Sequence, residues 1–170
     1  KVLEQGYDIA SGITTHLGPK TTRNPKYVKD IINRVILDEQ GNFILNGDDC
    51  GFSFVTSKIL NAHHFRSCAL IKREVHEKIK YYPTKLSRHG FREEQILSYK
   101  IITNDFKIGV HTGAIAYHLM TPSGGERFPD SNELIKLNQE IFEEFTRITY
   151  QKYGNFIDIY HKKLNLNLSP

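Results

Sequence analysis

An α/β fold is what this sequence predicts, and three observations predict it. Short apolar runs of β character, at 106–110 and 114–119, alternate with segments of helical period at 93–103 and 131–154. Turn signals separate them: Asp38-Glu39-Gln40-Gly41-Asn42, Asn104-Asp105 and Thr112-Gly113. With 170 residues, 39% of them hydrophobic and 25% charged, the chain has the size and make-up of one globular domain that buries a proper core. No repeat or low-complexity tract divides it, so 1–170 is read as a single domain.

From the N-terminus, Tyr7-Asp8-Ile9-Ala10-Ser11-Gly12-Ile13 reads as a short buried strand after a helix ending near Gln5-Gly6. Residues 14–26 hold Gly18-Pro19, Asn24-Pro25 and four threonines, and read as loop. Two readings stay open for 26–36. Tyr27, Ile31 and Val35 have helical spacing, whereas Arg34-Val35-Ile36-Leu37 has β character. The turn at 38–42 followed by Phe43-Ile44-Leu45 predicts a hairpin around Gly41. Residues 61–71 read as a strand running into a short helix at 72–78, and 81–90 as a polar, basic loop.

The 93–103 helix rests on Ile96, Leu97, Lys100 and Ile101, with Glu93 and Glu94 in the first turn, where the helix dipole favours negative charge. Asn104-Asp105 ends it, and two short strands broken at Thr112-Gly113 follow. The last helix, 131–154, is capped by Asp130 or Ser131 and carries an apolar stripe of Leu134, Leu137, Ile141, Phe145 and Ile148. Gly154 stops it. In the tail, 155–170, Phe156-Ile157-Asp158-Ile159-Tyr160 is expected to dock and the remainder to fray.

A net charge of +4 and a pI near 9.0 fit an anionic ligand such as a nucleotide or phosphate, and equally fit an ordinary basic protein. Cys50 and Cys68 are too few for a disulfide framework or a zinc site, which points to reduced thiols in the cytoplasm. No stretch approaches the roughly 18 apolar residues of a membrane span. The start at Lys1, without a methionine or a signal peptide, leads us to expect further chain upstream.

Three features could carry chemistry. Neighbours on a helix point about 100° apart, so one of Glu93 and Glu94 can face a cleft while the other braces a loop or cation. The same pair equally suits a solvated first turn. His118, at the end of an apolar run, can ligate a divalent ion through a neutral ring nitrogen, bind a diphosphate when protonated, or simply close a strand. Thr121-Pro122-Ser123-Gly124-Gly125-Glu126-Arg127 offers backbone amides, a hydroxyl and a guanidinium, the parts of a phosphate clamp or of a surface turn. Two further motifs are weaker. Gly47-Asp48-Asp49 is similar to the metal-binding turn of viral RNA-dependent polymerases, and also to any turn. His63-His64 is adjacent rather than spaced i, i+4, which suits a metal site poorly.

Order and spacing link several of these pieces. Ser67-Cys68-Ala69-Leu70-Ile71-Lys72-Arg73-Glu74-Val75 is followed by Arg92-Glu93-Glu94-Gln95-Ile96-Leu97-Ser98-Tyr99-Lys100. Then come Phe106-Lys107-Ile108, Ala114-Ile115-Ala116-Tyr117-His118 and Pro122-Ser123-Gly124-Gly125-Glu126-Arg127. In this arrangement residues 50–128 resemble the second half of a family 2 glycosyltransferase domain of the GT-A type. The resemblance implies the C-terminal part of a GT-A fold, a mixed sheet with flanking helices, without its N-terminal nucleotide-binding half.

It also implies inverting transfer of a sugar from a nucleotide-sugar donor to a hydroxyl on a glycan, lipid-linked or other acceptor. Glu94, at the family's second acid, takes the role of general base, with Glu93 as the alternate. Here the second acid is Glu where Asp is common in the family. A divalent cation, Mn2+ or Mg2+, is implied, with His118 as a ligand and the remaining ligands, an Asp-x-Asp motif, upstream of Lys1. Ser123, Gly124, Gly125 and Arg127 are implied to hold the donor phosphates. The expected setting is the cytoplasm or the cytoplasmic face of a membrane. A second copy of the chain is a candidate partner, because an incomplete sheet exposes an edge. A non-catalytic sugar- or nucleotide-binding module is the alternative. Nucleic-acid processing, suggested by Gly47-Asp48-Asp49 and the basic pI, stands third, and no nucleic-acid partner is expected.

Overall fold

The computed structural model describes residues 1–16, 31–32, 35–39, 42–45, 57–65, 68–80, 85–87, 91–118 and 131–164. After a 3-10 turn at Leu3–Gln5 come β1 (Ile9–His16), β2 (Ile31–Ile32), β3 (Val35–Leu37), β4 (Phe43–Leu45), β5 (Ile59–Ala62) and β6 (Ala69–Ile71). Helices α1 (Arg73–Ile79) and α2 (Glu93–Thr103) precede β7 (Ile108–His118), and α3 (Ser131–Tyr153) and α4 (Phe156–Lys163) follow it. The protein is α/β. Among the described residues five strands form a mixed sheet in the order β2-β5-β7-β1-β6, with β1 parallel to β7 and antiparallel to β6, and β5 antiparallel to β7.

Asp8 fixes the entrance to β1. Its carboxylate accepts from Lys72 Nζ at 2.9 Å and from the Lys107 amide at 2.9 Å, so one buried-edge charge ties the starts of β1, α1 and β7 together. Just before it, the chain makes a single 3-10 turn closed by Gly6 at φ +84° rather than the helix the sequence suggested.

The hairpin expected around Gly41 forms: Val35 pairs with Leu45 and Leu37 with Phe43, and Asp38 accepts from the Asn42 amide at 2.7 Å. Residues 61–71 differ from expectation. They hold the end of β5 and all of β6, separated by residues 63–68, of which His63, His64 and Phe65 are buried. The chain leaves the sheet on one side of β7 and β1 and rejoins it on the other.

β7 is one strand, not two. Gly12 pairs with His111 and Ile13 with Ile115, so Thr112, Gly113 and Ala114 bulge from the β1 ladder where a break was expected. Thr112 restores the lost bonds on the opposite side. Its amide donates to Lys58 O at 2.8 Å and its Oγ1 accepts from the Lys58 amide at 2.9 Å. The bulge turns the Ala114 carbonyl over β1, where a Cβ on Gly12 would collide with it. Only glycine fits there.

The core joins Ile9, Ile13, Leu60, Ile108 and Val110 of the sheet to Leu97, Tyr99 and Ile101 of α2. Phe156 and Tyr160 of α4 complete it, with the Phe156 ring 4.4 Å from that of Phe43 and 5.2 Å from that of Tyr99. The segment expected as a tail therefore carries a docked helix, capped by Asn155 after Gly154 turns the chain at φ +67°. Residues 165–170 lie outside the described residues.

α3 has nearly the predicted bounds but a different orientation. Its buried residues are Asn138, Phe142, Thr146 and Thr149, whereas Leu137 and Ile148 of the expected core stripe are 45% and 50% exposed. The buried face and the apolar stripe stand about 100° apart around the helix. The helix leans on the core with its threonine side.

Candidate functional site

The acidic pair opens α2 as the sequence predicts. Arg92 stands before it with φ +73°, a left-handed turn that swings the chain into the helix. The price of that strain is offset by anchoring: Arg92 Nε donates to Gln139 Oε1 of α3 at 2.8 Å, and Nη1 donates to Gln95 Oε1. The guanidinium also lies over the rings of Phe91 and Phe142, 4.6 and 5.1 Å from their centres. Glu93 and Glu94 are thus held on a rigid first turn, each half-buried. Burial, and then the neighbouring Glu94 charge, raise the Glu93 carboxyl above its ordinary range. Glu94 is bound into the same turn, its carbonyl accepting from Ser98 Oγ at 2.6 Å.

Beside this turn lies a cleft of about 590 Å³ between the β3–β4 hairpin, α2 and α3, lined by Asp38, Asn42, Arg92, Gln95, Gln139 and Glu143 among others. Arg92 lines it; Glu93 and Glu94 do not.

His118 ends β7, and its backbone stands in register with His16 at the end of β1. Two histidines, one of them not singled out from sequence, thus occupy facing positions on parallel strands. The side chains of His16 and His118, and the whole loop carrying Ser123, Gly124, Gly125 and Arg127, lie outside the described residues. So do Gly47, Asp48 and Asp49. Among the described residues, no three His, Cys, Asp or Glu side chains converge to hold a metal ion.

The histidine pair set aside as a poor metal site has a structural place. Ser98 Oγ directs its proton to Glu94 O, so its contact with His64 Nδ1 at 3.2 Å requires that nitrogen to donate. The Val35 amide donates to His63 Nδ1 at 2.9 Å. In the neutral ring Nε2 then carries the proton, and it points at His161 Nε2 on α4, 2.6 Å away. Both His63 nitrogens are engaged in fastening the hairpin and α4 to the end of β5. A cation-binding histidine needs the opposite arrangement, a free lone pair on one nitrogen and a donor on the other. The sequence signal for this role was the apolar residue on each side of His63-His64, Ala62 and Phe65.

On the other face of the sheet, small residues leave a trough of about 770 Å³ lined by Ala10, Gly12, Cys68, Leu70, His111 and Gly113 among others. Gly109 is covered there, since a Cβ would meet Val2 and Tyr7 at 2.7 Å.

No family model, no curated protein and no solved structure matches this chain. Among the described residues no helix is long and apolar enough to cross a membrane.

Proposed function

We propose that the chain is the acceptor-side, base-bearing part of an inverting sugar transferase of the GT-A type. The observation that carries the reading is the acidic pair itself. Two adjacent carboxylates stand on a rigid first turn, and one is held above its usual range by burial and by the other's charge. A carboxylate so raised is a better proton acceptor at neutral pH than a solvated one. The mixed sheet with flanking helices is compatible with the fold this reading requires.

In the proposed reaction one of Glu94 and Glu93 takes the proton of an acceptor hydroxyl on a glycan, lipid-linked or other acceptor. The hydroxyl oxygen attacks the anomeric carbon of a nucleotide-sugar from the face opposite the diphosphate, whose bond to that carbon breaks. The configuration inverts. Glu94 is the first candidate from the family order; its raised neighbour Glu93 has the better-supported chemistry here. Ser123, Gly124, Gly125 and Arg127 would hold the departing diphosphate, and His118 would supply one ligand to Mn2+ or Mg2+, which when bound would supply positive charge against that leaving group. The reading carries a cytoplasmic site of action with it.

The test is Glu93→Gln and Glu94→Gln in the protein that carries this chain, with sugar transfer and nucleoside-diphosphate affinity measured separately. The expected result is a loss of transfer of roughly 100-fold or more for one of them, at unchanged affinity. Wild-type transfer by both removes the base assignment.

A further inference from the structure

α3 turns its threonine side to the core and leaves Leu137 and Ile148 of its apolar stripe exposed; with Ile141 and Phe145, which are only partly buried against the core, they floor a groove of about 670 Å³. Ile96 of α2 and Leu137, Ile141, Phe145 and Ile148 of α3 form the apolar lining. The two flanks differ in sign. Lys80 at the end of α1, Lys85, and Lys100 of α2 supply one flank. Glu140 and Glu144, one helical turn apart on α3, supply the other. Among the described residues Lys80, Lys85, Lys100 and Glu140 make no ion pair, and Lys100 is half-buried, its ammonium lowered by desolvation. Glu144 is paired with Arg147 at 2.6 Å.

An occupant must therefore present an apolar stripe with an acidic row along one side. A helix of that chemistry is already in the molecule: α3 itself. From Leu134 to Ile148 its stripe runs about 21 Å, close to four turns. Symmetry decides the orientation. A two-fold axis perpendicular to α3 and lying in the interface would set acid against acid. An axis running along the stripe instead sets each Glu140–Glu144 row against the partner's lysines, twice over. It also brings each stripe residue close to its own copy, as in a parallel helix pair.

We propose that the chain forms a two-fold dimer through this groove, with the α3 helices parallel and the Glu140 side of each copy facing Lys100 of the other. The interface is independent of the transfer chemistry proposed above.

Sedimentation velocity over a concentration series tests it. The wild-type chain is expected to dimerise. Glu140→Lys and Lys100→Glu are each expected to weaken dimerisation roughly tenfold or more, because like charges then meet twice. An equal mixture of the two variants is expected to recover the dimer as a heterodimer, where both contacts are again opposite in sign. A folding defect cannot mimic that recovery. In a Cys50→Ser, Cys68→Ser background, Leu137→Cys and Ile148→Cys are each expected to cross-link to their own copies. Cross-linking only between Leu137→Cys and Ile148→Cys overturns the parallel arrangement. A wild-type chain that stays monomeric, or a dimer indifferent to both charge reversals, overturns the proposal. So does a monomer that takes a fatty-acid probe or an acidic helical peptide into the groove.

Discussion

α2 and α3 lie side by side and reach the core by opposite routes. α2 has little one-sidedness in its sequence and is buried almost all round, from Gln95 to Tyr99 and again at Ile101 and Ile102. α3 has a strong apolar stripe and buries it only in part, with Leu137 and Ile148 exposed, while its fully buried face is Asn138, Phe142, Thr146 and Thr149. The hydroxyls on that face are satisfied within the helix. Thr146 Oγ1 donates to Phe142 O at 3.0 Å and Thr149 Oγ1 to Phe145 O at 2.7 Å, so the hydroxyls of that face enter the core paired, whereas Asn138 Nδ2 is buried without a hydrogen-bond partner among the described residues. Amphipathicity says that a helix has a face to bury. What already surrounds it decides which face the monomer buries.

The comparison breaks most visibly at Leu97, fully buried on α2. Leu97→Ala is expected to destabilise the fold by about 3 kcal/mol in urea denaturation, through lost apolar contact and the cavity left behind. Asn138 tests the buried side of α3. Its Oδ1 accepts from the Ser87 amide at 2.7 Å and docks the 85–87 segment onto the helix. Asn138→Ala leaves that amide without its acceptor and is expected to cost roughly 1–2 kcal/mol by the same measurement.

Glu93 gives a smaller effect with a sign of its own. Its folded carboxyl is raised by burial and then by the Glu94 charge, so the folded state holds the proton more readily than the unfolded chain. Its contribution improves as pH falls through the folded value, and the ionised form disfavours folding at neutral pH. Glu93→Gln is expected to raise the urea midpoint at neutral pH, with the gain gone by about pH 4, near the ordinary glutamate value. A gain that grows on acidification would refute the assignment. Ile148→Ser, on the exposed stripe, is expected to shift monomer stability by no more than about 0.5 kcal/mol while weakening self-association.

The local signals that read well are those with a local cause. The α2 bounds follow from acid residues at its start and Asn104 at its end, and the β3–β4 pairing follows from the turn signal in the sequence at 38–42. Long-range causes were not legible. The bulge at Thr112–Ala114 looks like a strand break because the bonds that bridge it come from Lys58, far away in sequence. β5 was absorbed into one long strand because the sheet positions of its two ends are set by β7 and β1. The stripe on α3 was legible, and its burial was not, since that depended on where α2 and the 85–87 segment lie. Of the candidate site, the acidic pair was found where expected, and the anchoring role of Arg92 had no sequence signal beyond its place before the pair.

α4 has a consequence for how the protein is made. Phe156 fills the space between Phe43 and Tyr99, and Tyr160 Oη accepts from the Ile108 amide at 3.1 Å. The hydrophobic centre therefore stays open until the ribosome has delivered residues beyond 160. Before that moment the nascent sheet has no plug, and its exposed aromatic rings are a target for chaperones.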